Sequence, residues 1–130
     1  MLNRIYSSKA DKNDGLTQTQ REAIVDLLHY CMYADSLISI SESSFVAAKV
    51  QAFNWDPNVA FESYQGKSIG AARNALANAD AKKNFFESVN RRIGGANTTA
   101  YDLCRKLFAA DGKTDVEAVW QADVQKALGV

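Results

Sequence analysis

The chain has 130 residues, 47% of them apolar and 23% charged, with 15 acidic and 15 basic side chains. These values describe one globular domain whose core needs no disulfide staples, and they exclude a disordered chain. Zero net charge excludes a chain-wide positive field for nucleic acid or an anionic membrane, and the basic pairs Lys82-Lys83 and Arg91-Arg92 are too short to build a local one.

Proline occurs once, and no window alternates apolar and polar residues, so helix is expected nearly throughout. Residues 1–15 form an N-terminal arm or a short helix, closing on the polar turn Asp11-Lys12-Asn13-Asp14-Gly15. Thr17 with Gln20 is a capping-box pattern and opens a helix over about 17–34, with Ile24, Leu27, Leu28 and Cys31 on one stripe. Ser39 with Glu42 repeats the box before a helix over about 39–54, with Val46, Val50 and Phe53 inward. Asp56-Pro57 reads as a cap and first-turn proline for a short helix ending near Tyr64. Gly66 breaks the chain before an alanine-rich helix over about 67–78.

Asp80 caps a helix over about 81–93 carrying Phe85, Phe86, Val89 and Ile93, which Gly94-Gly95 stops. Asn97 caps the next, over about 98–109, with Ala100, Leu103, Cys104, Leu107 and Phe108 in its stripe. Thr114 with Glu117 opens a last helix bearing Val116, Val119, Trp120, Val124, Ala127 and Leu128, closed by Gly129. The expectation is therefore an all-α, single compact domain of about seven helices spanning 1–130.

No stretch is long and apolar enough to span a bilayer, and Met1-Leu2-Asn3-Arg4-Ile5-Tyr6 does not begin a signal peptide, so a cytoplasmic location is expected. Cys31 and Cys104 each sit in an apolar helical stripe, the usual setting of a buried free thiol. With two cysteines and the single His29, zinc sites lack ligands, and His29 is expected on the polar side of its helix as a surface histidine. Trp55 and Trp120 are read as core anchors, Trp55 near a groove rim. Gly66-Lys67-Ser68 lacks the earlier glycine of a phosphate loop, because position 61 is Phe61; the acidic turns lack the spacing of an EF-hand. Asn97-Thr98-Thr99 is a formal glycosylation sequon better read as a cap.

The two ends of the chain match at an offset of 76: Asp26-Leu27 with Asp102-Leu103, and Ala34-Asp35 with Ala110-Asp111. In each, an apolar-striped helix ends in Ala-Asp, and a short polar turn leads to a capping box. This pattern implies two pseudo-repeated helical hairpins about a pseudo-two-fold axis. The segments Tyr33-Ala34-Asp35-Ser36-Leu37-Ile38-Ser39-Ile40-Ser41-Glu42 and Phe108-Ala109-Ala110-Asp111-Gly112-Lys113-Thr114-Asp115-Val116-Glu117 resemble the TerB-like proteins associated with bacterial tellurite resistance. That fold is shared with the N-terminal region of the DjlA co-chaperone. The sequence departs from the family pattern at Ser36, where glycine is preferred, and at Thr114, where Ile or Val is.

The resemblance covers about residues 16–130 and implies a non-enzymatic stress-response protein that binds a divalent cation, calcium or magnesium, through its acidic turns. The ligands it implies are Asp35, Glu42, Asp111, Asp115 and Glu117, since hard cations require several clustered oxygens; hairpins packed about a pseudo-dyad would add Asp26 and Asp102 as a second layer. Helix capping competes for the same residues: Ser39 and Thr114 are caps, Glu42 and Glu117 complete their boxes, and Lys113 lies inside the second cluster. The alternative is a co-chaperone-like interaction module without metal, working through a protein partner or a second copy. An enzyme would rest on carboxylates alone, with no pocket visible to separate their pKa values.

Overall fold

The computed structural model describes residues 15–34, 40–53, 55–110 and 119–129, with the side chains of 40–42, 108–110 and 119–123 outside the description. It is all-helical over those residues. The elements are α1 (Gln18–Ala34), α2 (Ile40–Ala52), α3 (Phe61–Ala77), α4 (Ala79–Ile93), α5 (Asn97–Ala110) and α6 (Val119–Leu128). No helix among the described residues is long and apolar enough to cross a membrane.

α1 is the axis of the domain and packs against all five other helices. Its start follows from the capping box: Thr17 Oγ1 accepts from the Gln20 amide at 3.1 Å, and Gln20 Oε1 accepts from the Thr17 amide at 2.9 Å. The same Gln20 side chain donates to the Ile93 carbonyl at 3.0 Å, joining the start of α1 to the end of α4. Gly94 follows with φ +57, and a Cβ there would lie 3.0 Å from Gln20 Nε2. Glycine is therefore favoured by the backbone conformation, and a side chain there would also press on the Gln20 side-chain amide. Every residue of α1 from Ala23 to Met32 is buried, so the expected single stripe is in fact a helix enclosed on all sides.

Two predicted helices are one. Asp56 Oδ1 accepts from the Asn58 amide at 2.8 Å, and the Val59 amide reaches the Asp56 carbonyl at 3.0 Å, so Asp56-Pro57 makes a turn and not a helix start. The helix begins at Phe61 and continues through Gly66. One exposed glycine weakens a helix by roughly 1 kcal/mol, which burial of Ser68, Ala72 and Ala75 against α1 outweighs. Six helices result among the described residues instead of about seven.

Two caps also shift. Asn78, not Asp80, caps α4, its Oδ1 accepting from the Ala81 amide at 2.9 Å, and Asp80 lies in the first turn, where it complements the dipole. Asn97 is the first residue of α5 and donates instead to the Leu128 carbonyl at the end of α6, at 3.1 Å. The α5 stripe is as expected, with Ala100, Leu103, Cys104 and Leu107 buried. Cys31 and Cys104 are buried free thiols. The Ser39–Glu42 and Thr114–Glu117 boxes, the arm before Gly15, and the side chains of Phe108 and Trp120 lie outside the described residues.

Because a Cβ at Gly66 would meet nothing within 4 Å, Gly66→Ala is expected to raise unfolding free energy by about 0.5–1 kcal/mol. Chemical denaturation checks this; a loss of stability would contradict the uninterrupted helix.

Candidate functional site

Along α1, Glu22, Asp26 and His29 share one face at helical spacing. Facing them, α3 presents Tyr64 and Ser68 one turn apart, and α4 presents Ser88 and Arg92 one turn apart. They meet on the Asp26 carboxylate. Oδ1 accepts from the Tyr64 hydroxyl at 2.8 Å and the Ser68 hydroxyl at 2.5 Å; Oδ2 accepts from Arg92 Nη2 at 2.6 Å. Arg92 is held from behind, its Nε donating to Ser88 Oγ at 3.1 Å. Ser68 Oγ also lies 2.8 Å from His29 Nδ1.

Proton counting orders this chain. Ser68 has one hydroxyl proton, and the carboxylate only accepts, so that proton goes to Asp26 and Ser68 accepts from His29 Nδ1–H. His29 Nε2 is then a bare lone pair, and it is buried with no hydrogen-bond partner among the described residues. This overturns the expectation of a surface histidine: His29 is fully buried. The physical reason is the enclosure of α1, which leaves no solvent-exposed face between Ala23 and Met32.

The electrostatics follow from burial. Desolvation lowers the His29 pKa from its ordinary 6.5 to about 4, with the nearby Asp26 charge opposing part of the shift. Burial also pushes the Tyr64 hydroxyl well above the usual phenol range, reinforced by the charge and hydrogen bond of Asp26. For Arg92, burial acts to lower the pKa, but the Asp26 hydrogen bond and charge outweigh it and raise it.

Chemically, the group is a clamp. In a Ser–His–Asp triad the imidazole stands between hydroxyl and carboxylate, whereas here the hydroxyl stands between them and Asp26 is neutralised by Arg92. Ser68 thus faces no free base. A recess of about 270 Å³ lies over the clamp, lined by Glu22, Tyr64, Lys67 and Ser88 as well as the ion pair. Its charges balance, Lys67 and Arg92 against Glu22 and Asp26, so it favours neither an anion nor a cation.

Of the residues the sequence singled out as cation ligands, Asp35, Asp111, Asp115 and Glu117 lie outside the described residues, as does the side chain of Glu42 in α2. Asp26 and Asp102, read as a second layer, each have a partner of their own. Asp26 is committed to the clamp, and Asp102 pairs with Lys106 one turn along α5 at 3.0 Å. Among the described residues no three His, Cys, Asp or Glu side chains gather as metal ligands. Trp55 is half-buried and stacks edge-on to Phe61, with ring centroids 5.2 Å apart, beside Tyr64 at 5.6 Å. No family model matches this chain, and no curated protein or solved structure matches it significantly.

Sequence reasoning missed Tyr64, Ser68, Ser88 and Arg92 and gave Asp26 a different role. A signal was present: in Ala23–Met32 only Asp26 and His29 are polar, and a helix apolar all round is a buried one whose polar residues need partners.

Removing the carboxylate leaves Arg92, whose side chain is 23% exposed, without its partner. Asp26→Asn is expected to lower unfolding free energy by about 3 kcal/mol, while Asp26→Leu combined with Arg92→Met loses less than Asp26→Leu alone. Urea unfolding of the three variants checks this ordering.

His29 adds a pH term. Its native pKa lies below its unfolded one, so native protein binds fewer protons; the contribution is complete above pH 6.5 and is lost as pH falls toward 4. That gap corresponds to about 3 kcal/mol at full protonation. Unfolding curves between pH 7 and about 4.5 should steepen in their loss for the native sequence and flatten in His29→Asn.

Proposed function

We propose that the chain is a non-enzymatic helical module of the TerB-like kind, acting in a stress response associated with tellurite, that binds calcium or magnesium at its acidic turns. The ligands are Asp35 with Glu42 and Asp111 with Asp115 and Glu117. The module works through a protein partner or a second copy of itself, not by turning over a substrate.

The observation that carries this reading is where the two Ala-Asp pairs stand. The described stretches of α1 and α5 close on Ala34 and Ala110, and in the sequence an aspartate comes immediately after each. The last carbonyls of a helix have no intrahelical donor and carry partial negative charge. A carboxylate just beyond them adds to that charge. Basic residues in the last turn usually offset it, and neither α1 nor α5 has one. Carbonyls and carboxylates together are the oxygen donors that a hard cation takes.

Thermal unfolding with increasing calcium or magnesium tests the reading. A ligand bound only by the native state raises stability by about 2.7 kcal/mol at a hundred times its Kd, several degrees in Tm for a domain of this size. The rise should vanish in Asp35→Ala/Asp111→Ala. An unchanged Tm at millimolar cation would refute it.

A further inference from the structure

The groove between α4 and α6 brings together charges that are far apart in the sequence. Ala79, Lys82, Lys83 and Phe86 follow one another at helical spacing along α4, and Lys126 and Ala127 of α6 form the opposite wall. The groove is open to solvent, with a volume of about 390 Å³ and a mainly apolar lining. Phe86 is half-buried and anchored from beneath, its ring 4.9 Å from that of Tyr30 and 5.3 Å from that of Phe85, both edge-on. Lys126 lies 43 residues beyond Lys83 in a chain of zero net charge, so only folding creates this concentration of positive charge. Glu87 is the one acidic group among the described residues lining it.

We infer that this groove binds an acidic peptide segment of a partner protein, which lays an apolar side chain over Phe86 and sets its carboxylates against Lys83 and Lys126. Charge complementarity selects the occupant. Lysines flank an apolar floor, so the matching surface carries negative charge on either side of an apolar group. A nucleic-acid backbone fits less well, because it needs a longer basic track and has little use for an apolar floor. The inference stands apart from the cation reading, and its failure would leave that reading untouched.

A short fluorescein-labelled peptide of alternating glutamate and leucine, titrated with the full chain and followed by anisotropy, provides the test. Binding is expected at low ionic strength, with loss in about 1 M salt, where the Debye length is about 3 Å. Lys83→Glu/Lys126→Glu should weaken it at least about tenfold, with an unchanged melting curve to show that the fold is intact. Lys67→Glu, on α3 outside the groove, should bind like the native chain. Absence of binding, equal binding by the charge-reversed variant, or tighter binding of a single-stranded oligonucleotide would each overturn the inference. So would self-association that the groove substitutions abolish while peptide binding is absent, which would assign the groove to a second copy.

Discussion

A carboxylate in the middle of a helix that is packed against all its neighbours must draw most of its hydrogen bonds from those helices, because little of it is open to water. Asp26 stands in that position, and the arrangement of α1, α3 and α4 answers its requirement. α3 brings Tyr64 and Ser68 within bonding distance, and α4 brings Arg92, whose positive charge neutralises it. Each of these helices could pack on α1 in several rotations on apolar grounds alone. Only those that deliver these donors avoid an uncompensated buried charge, so the clamp fixes rotation and register where apolar packing does not.

The remaining contacts are consistent with that constraint. Small residues at Ala72 and Ala75 let α3 approach α1 closely, and Phe85, Val89 and Ile93 bury the face of α4 that positions Arg92. Gln20 joins the beginning of α1 to the end of α4 through the Ile93 carbonyl. Gly94 then turns the chain with a positive φ that side-chain-bearing residues rarely adopt. His29 extends the polar chain one residue deeper through Ser68, at the expense of a ring nitrogen with no donor among the described residues. A neutral histidine is tolerated there because burial depresses its pKa.

Much of the helical framework was legible in the sequence. The Thr17–Gln20 box, the Gly94 stop and the stripe of α5 are short-range signals, set within one turn of the residues concerned. Errors arose where a local signal competed with packing. Asp56-Pro57 resembled a helix start until Asp56 closed a turn on Asn58, and Gly66 resembled a break until burial on α1 carried the helix through it. The clamp was less legible because the groups bonded to Asp26 lie 38 to 66 residues from it, and no periodicity within one helix identifies a partner on another. The groove between α4 and α6 has the same origin. The two Ala-Asp segments are short-range features of the sequence too, and most of their residues lie outside the described ones.

If one carboxylate sets the register of three helices, those helices should not open independently. Native-state hydrogen exchange measures this residue by residue. The account predicts that amides in the buried stretches of α1, α3 and α4 around Asp26, Ser68 and Val89 exchange through a common opening whose free energy equals that of global unfolding. An α3 whose amides exchange through a separate opening of lower free energy, while α1 and α4 stay protected, would contradict it.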